Sequence, residues 1–564
     1  SPQRFLRFEA GRAVWAVLCL SPRLGSWQDR RMRFGTWALA LTIVGAGAGP
    51  AGAQSPAKSF LPAKAVAVAV WQNPRQTLRR VEAVMAQSGF AAPAQSPGWL
   101  EAQLVSRDPR LQAVDMTQPV YVAVVPHDTE PAGVMAVVHR KESKVELKTE
   151  PAEPFRLVAK KKVLLLLEDK LDAAYEKPTK KPYRFGKTAR QFWGDNDLFA
   201  HMSSKKVLAL LAAFEKQNPE RKEDLASFRQ TLSETRSLAF AAQLADEGLF
   251  GRFLGIYDPD SPTGKAVAST ENTDDPLIYG LPAAPYFMML GSRGGSAEAT
   301  ELSTRAAVDQ LLQTIEDTPA STEMSALMNH LKKIDQVYDG LFVDDQRSAF
   351  GFAMPADWKK LHMVGWIRGS AQKTGKLLSN LAQWMQGLLK TALEQSGSEK
   401  EVELREVDSE KVGKVKLEGY ALQLGEGSTA ELSPEAKTLV QTPLRWGEVD
   451  DETLVFAWNA PSPSLTALAE RTKNDPLAGP KFARTQKQLA RARVAEMYLD
   501  VGPVAAGIMA DQNPMMARSM TALLSTLPAF GGTLARMGEG LRMDMFVPIE
   551  TVQVAGGLAA LFQQ

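Results

Sequence analysis

Apolar positions recur along this chain at two spacings, and they divide it into short strands and helices. Ala65-Val66-Ala67-Val68-Ala69-Val70-Trp71 is a valine-rich run of strand length. Asn73-Pro74 then opens a helix: Asn is a cap, Pro suits the first turn, and Gln76 stands three residues past the cap. Leu78, Val81, Val84 and Met85 form its apolar stripe, with Gly89 as the stop. Val120–Val125, Val134–His139 and Val163–Glu168 predict further strands. Val207–Phe214 and Leu225–Leu232 predict helices. Leu238–Leu244 and Leu249–Tyr257 flank Ala245-Asp246-Glu247-Gly248, whose Asp and Gly suit a hairpin turn. Tyr286–Leu290 reads as a buried strand and Ala306–Ile315 as a helix. Leu377, Leu378, Leu381, Trp384, Met385, Leu388 and Leu389 give the clearest helical stripe, one that covers a sheet.

The last third repeats the theme. Ser396–Glu410 alternates charge and reads as a solvated segment entering a strand. Val412–Leu424, Thr453–Trp458 and Val494–Leu499 predict strands. Leu465–Arg471 and Thr521–Leu527 predict helices, and Val547–Gly557 closes a strand into a terminal helix. Seven methionines from Met509 to Met545 read as core packing. The fold class expected is α+β: tandem modules of mostly antiparallel sheet, built from β-hairpins and packed with amphipathic helices.

An internal repeat is read in the middle of the chain. Ala239 to Lys265 lies over Ala349 to Lys376, with Asp246 on Asp357, Gly255 on Gly365, and Thr263-Gly264-Lys265 on Thr374-Gly375-Lys376. The expected divisions are 1–53, an upstream segment with a signal peptide; 54–60, a linker; 61–176, a first α/β module; 177–200, a basic connector; 201–395, a duplicated hairpin–helix region; and 396–564, a C-terminal α+β module.

Charge first changes the picture at the leader. Arg30-Arg31-Met32-Arg33 precedes an apolar run and Pro50-Ala51-Gly52-Ala53-Gln54, the order of a cleaved export signal. Met32 stands at the natural start of that signal, so residues 1–31 read as upstream of the working chain. The whole chain of 564 residues carries a net charge of +2; beyond Ala53 the balance is 59 basic against 62 acidic residues, or −3. General nucleic-acid binding loses support from that balance. The only cysteine, Cys19, lies in the leader, which excludes disulfides, thiolate catalysis and a lipid-anchoring cysteine from the exported part. No apolar run beyond Ala53 is long enough for a membrane helix. The expected location is periplasmic or extracellular.

Reactive motifs are scarce. Gly264-Lys265 and Gly375-Lys376 open helices, but Ala266 and Leu377 stand where a phosphate loop needs Ser or Thr. They read as helix starts, with Thr263 and Thr374 as caps. Ser55-x-x-Lys58 and Ser203-x-x-Lys206 match a spacing that chance supplies in long chains. His127, His139, His201, His330 and His362 make no metal-ligand pair, and the acidic loops lack a calcium pattern, so no metal or cofactor is expected.

One stretch does carry a candidate site. Arg140 to Arg190 holds fifteen Lys or Arg against eight Asp or Glu. Within it, Lys180, Lys181, Arg184, Lys187 and Arg190 interleave with Tyr183, Phe185, Phe192 and Trp193. Such a patch suits an anionic glycan, a lipid headgroup or nucleic acid; it also suits a solvated linker anchored by its aromatics.

Leu61-Pro62-Ala63, Gly280-Leu281-Pro282 and Glu496-Met497-Tyr498-Leu499-Asp500, together with the leader, give a layout that resembles exported bacterial proteins of the planctomycete, DUF3352-like type. That resemblance implies export and repeated α+β modules, and no activity or site residues. The function expected is a non-enzymatic binding or structural protein of the cell envelope, acting on an envelope protein or an apolar or anionic envelope ligand. The alternatives are a carrier of lipid or another apolar ligand, and an exported hydrolase with a dispersed active site.

Overall fold

A computed structural model describes residues 55–554, apart from 88–96, 128–130, 141–154, 195, 220–224, 303, 306–307, 309–331, 355–359, 396–401, 425–440, 471–474, 478–479, 501 and 503–525. The fold is α+β, and every recorded strand pairing is antiparallel. Two units divide the chain: unit 1 runs up to Ile256 and resumes at Val552, and unit 2 runs Tyr257–Thr551. The division falls inside the stretch 201–395 that the sequence reads as one region.

Unit 1 holds β1 (Ala67–Trp71), α1 (Pro74–Gln87), α2 (Trp99–Arg107), β2 (Val120–Val125), β3 (Ala132–Val138), β4 (Phe155–Ala159), β5 (Val163–Glu168), α3 (Lys187–Trp193), β6 (Leu198–Ser203), α4 (Ser204–Gln217), α5 (Ala226–Ser233), β7 (Thr235–Ala245) and β8 (Gly248–Tyr257). The strand order is β4-β5-β3-β2-β1-β6-β7. The turn Asp246-Glu247 leads from β7 into β8. Asn73 caps α1 as its sequence predicts: its Oδ1 accepts from the Gln76 amide and its Nδ2 donates to Gln76 Oε1. Leu78 of α1 then joins Trp71, Val137, Leu164 and Leu198 in one core, and Trp71 Nε1 donates to Thr77 at 3.0 Å.

Unit 2 holds α6 (Pro262–Ser269), β9 (Tyr286–Arg293), β10 (Arg347–Ala353), β11 (His362–Arg368), α7 (Ala371–Gln395), β12 (Val402–Val412), β13 (Val415–Leu424), β14 (Leu444–Glu448), β15 (Thr453–Trp458), α8 (Ser462–Ala469), α9 (Pro480–Gln488), β16 (Ala495–Leu499), β17 (Phe530–Met537) and β18 (Gly540–Pro548). The strand order is β12-β13-β14-β15-β11-β10-β9-β16-β17-β18.

The two orders contain the same topology. In each unit a central strand, β1 or β9, is flanked on one side by its next two strands and a later hairpin. On the other side it is flanked by a returning pair, β6-β7 or β16-β17. To this shared order unit 2 adds β18 beside β17 and the hairpin β12–β13 at the other end. Rows of paired residues can be matched across the two units by their burial. A row across unit 1 reads Arg156, Leu167, Val134, Ala123, Val68, His201, Ala239. The matching row of unit 2 reads Arg445, Ala457, Val364, Gly351, Met289, Tyr498, Gly531. Burial follows: β5 and β15 alternate buried and half-buried positions identically. Glycine replaces alanine twice in that row because something approaches closely. A Cβ on Gly351 would meet the Tyr286 ring at 2.4 Å, and one on Gly531 would meet Thr485 at 2.9 Å.

This duplication differs from the repeat read in the sequence, which laid β7–β8 over β10–β11. By topology, β10–β11 corresponds to β2–β3. Other expectations change too. Ser261, rather than Thr263, caps α6: its Oγ accepts from the Gly264 amide at 3.0 Å. Ser370 similarly accepts from the Lys373 amide ahead of Thr374. The charged run after Ser396 forms β12, because one strand of an exposed hairpin needs no apolar face. Met543 and Met545 are exposed on β18 rather than in the core. The expected stop at Gly89 and most of the helices at 306–315 and 521–527 lie outside the described residues.

Candidate anion-binding site

Alternation builds this site. From Pro182 to Phe185 the connector runs without a turn, and side chains of an extended chain point alternately to opposite sides. Tyr183 and Phe185 are buried and Arg184 between them is exposed; Lys181 is exposed at the bend where the segment begins. Main-chain bonds fix the segment to the chain ahead of β1: the Thr179 amide donates to Ser59 O at 2.9 Å and the Tyr183 amide to Leu61 O at 3.1 Å. The rings then lock together. Phe185 meets Tyr183, Trp193 and Phe199 edge-on at 5.1–5.3 Å between centroids, and Trp193 stacks on Phe199 at 5.1 Å. Aromatic pairs of this kind add about 0.5–1.5 kcal/mol each beyond their buried area.

The cations on the outer side face a cavity of about 680 Å³. Lys181, Arg184, Lys206 and Arg236 line it, with Tyr183, His201, Ser203 and Ser237. Among the described residues no carboxylate lines it. The Tyr183 hydroxyl and His201 Nδ1 share a hydrogen bond of 2.7 Å. Burial, and then the charge of Lys206, push the His201 imidazole down to about 4, so it is neutral. Burial pushes the Tyr183 phenol up to about 12, which keeps its proton in place. Lys206 lies 4.9 Å from the centre of the Tyr183 ring and donates to Ala63 O at 2.6 Å and Ala65 O at 2.9 Å. Burial lowers its pKa.

This orientation bears on the Ser203-x-x-Lys206 spacing. A lysine that activates serine must turn its nitrogen to the hydroxyl. Here the ammonium is turned to two carbonyls, and Ser203 is not among its partners. The arrangement suits electrostatic binding rather than nucleophilic attack.

Of the five cations picked out in the sequence, Lys181 and Arg184 come to the cavity. Lys180, Lys187 and Arg190 are exposed beside it and do not line it. Lys206 on α4 and Arg236 on β7 were missed. Lys206 had only the serine spacing to mark it, and nothing local marks Arg236. A second cavity of unit 1, of about 670 Å³, mixes signs: Arg75, Arg140 and Lys162 face Asp115. Its Arg75 is already engaged by Glu101 through bonds of 2.7 and 2.8 Å. Among the described residues no three His, Cys, Asp or Glu side chains gather to hold a metal ion, and no helix is long and apolar enough to cross a membrane.

The site therefore defines a cationic pocket on a duplicated antiparallel α+β scaffold. Comparison with protein families, curated proteins and solved structures finds no match for the chain.

Proposed function

We propose that this chain is an exported, non-enzymatic binding protein of the cell envelope that holds an anionic component in the unit-1 cavity. One observation carries the reading: among the described residues four cations and no carboxylate line a single cavity. Like charges gathered on one wall repel each other, and an anion entering the cavity relieves that repulsion. The leader beginning at Arg30 supports export, and the orientation of Lys206 away from Ser203 supports binding over hydrolysis.

Calorimetric titration of the full chain with inorganic phosphate, glucuronate and anionic-lipid vesicles tests the proposal. Binding of at least one of them is expected, and it should weaken about tenfold or more in Lys181→Glu. It should also weaken steeply with salt. Equal indifference of the wild type to all three anions at low salt would overturn the reading.

A further inference from the structure

The sheet registers put His201 and Tyr498 at the same place in their units. Carried back along the chain without a gap, that correspondence lays Arg184 on Lys481, Phe185 on Phe482, Lys187 on Arg484, Thr188 on Thr485, Arg190 on Lys487 and Gln191 on Gln488. Every cation in this row falls on a cation. Ring geometry supports the match independently: Phe185 stands edge-on to His201 at 5.6 Å and 89°, and Phe482 edge-on to Tyr498 at 6.1 Å and 87°. Carried forward, the same correspondence lays Ser203 on Asp500.

The two copies differ in what faces their cations. In unit 2, Lys481 is bonded to the buried carboxylate of Asp500, and Arg484 to Glu550. Asp500 Oδ1 also accepts from the Gly502 amide at 3.0 Å. In unit 1, Arg184, Lys187 and Arg190 have no carboxylate partner among the described residues. At the position that corresponds to Asp500, unit 1 has Ser203, which lines the cavity.

From this we infer that unit 2 supplies from its own chain the anion that unit 1 takes from outside. Arg184 and Ser203 are the contacts that receive an oxyanion in unit 1, and the protein binds one such group per chain. The inference rests on the binding reading above and names its ligand chemistry. A guanidinium presents a planar fork to two oxygens of one group, which the ammonium of Lys481 does not. Lys181, Lys206 and Arg236 add positive charge around the same cavity. Together they favour a phosphate group over a singly charged carboxylate.

Exchanging the two residues tests this. Inorganic phosphate titrated into the full chain should bind with a stoichiometry of one. Ser203→Asp, which puts a carboxylate beside Arg184, should weaken binding about tenfold or more, a loss of about 1.4 kcal/mol per factor of ten. Ser203→Ala should weaken it only a few-fold. Asp500→Ser should raise the stoichiometry to two, and Asp500→Asn covers the case in which that variant fails to fold. Vesicles containing phosphatidylglycerol, run beside free phosphate, show whether a lipid headgroup or a soluble phosphate is the better source. Unchanged binding by Ser203→Asp, while Lys181→Glu still weakens it about tenfold or more, would overturn this inference and leave the binding reading standing. A stoichiometry of two in the wild type would overturn it as well.

Discussion

His201 and Tyr498 hold the same position in two sheets. His201 pairs with Val68 of the central strand and Ala239; Tyr498 pairs with Met289 of the central strand and Gly531. Both are buried polar rings, yet they are satisfied differently. His201 Nδ1 shares a hydrogen bond with the Tyr183 hydroxyl, whereas the Tyr498 hydroxyl donates to the Glu496 carboxylate two residues earlier at 3.2 Å. The same backbone position therefore titrates in unit 1 and is held neutral in unit 2, where burial and then the Glu496 charge raise the Tyr498 pKa further.

That difference predicts an acid-side loss of stability. The folded His201 titrates near 4 and an unfolded histidine near 6.5. The unfolded chain thus binds more protons between those values, and stability falls as pH drops from 6.5 to 4. The loss amounts to about 3 kcal/mol at most. Melting temperatures measured from pH 7.5 to 4.5 should show it as a slope that His201→Gln removes.

A buried carboxyl opposes that slope. Burial pushes Asp197 up to about 7, against the weaker help of the Leu244 amide and the Arg80 charge. Its folded pKa lies above the unfolded value, so it costs nothing below about 3.9 and its full cost appears above 7. Asp197→Asn should stabilise the chain by about 1–4 kcal/mol at pH 8 and leave it unchanged near pH 4. In that variant the His201 slope should stand out more steeply. Equal effects of Asp197→Asn at both pH values would contradict the assignment.

Gly351 should resist enlargement. The Tyr286 ring lies where its Cβ would be, and the Tyr286 hydroxyl is fixed by donation to Pro282 O at 2.7 Å. Gly351→Ala is expected to cost about 1–3 kcal/mol through overpacking. Chemical denaturation of that variant and of Gly351→Ala with Tyr286→Leu checks the cause: the second change should recover part of the loss.

Glu496 joins more of unit 2 than any sequence pattern suggested. Its carboxylate accepts from the amides of Leu277 and Ile278, from Tyr498, and from the buried Arg493. Removing one partner from such a pair strands a buried charge, so Arg493→Met should cost about 3–5 kcal/mol. The double variant Arg493→Met with Glu496→Leu should cost less than the two single changes added together, and a denaturation cycle measures the difference.

Strands were legible wherever one face is buried. The run Val163–Glu168 matches β5 at both ends because its leucines point into the core. β12 was not legible, since Glu403, Arg405, Glu406 and Glu410 are exposed and the strand has little apolar alternation to read. At the site, the interleaving of the rings Tyr183 and Phe185 with the cations Lys181 and Arg184 was visible in the sequence. Its completion by Lys206 and Arg236 depends on β6 and β7 pairing, a long-range event that no local pattern encodes. The duplication stayed hidden for a similar reason. Register and ring geometry preserve it, while side chains such as Ser203 and Asp500 have diverged in charge.

β12 has a further effect on how the molecule behaves in solution. It pairs with β13 on one side, and among the described residues no strand pairs with its other side. Its acidic and basic side chains are exposed, and its register shifts between Val407 and Glu410. A border of that kind repels the strand of a neighbouring molecule and gives it no regular ladder to extend. The extra hairpin thus guards the broader of the two sheets against growth into fibrils at high concentration.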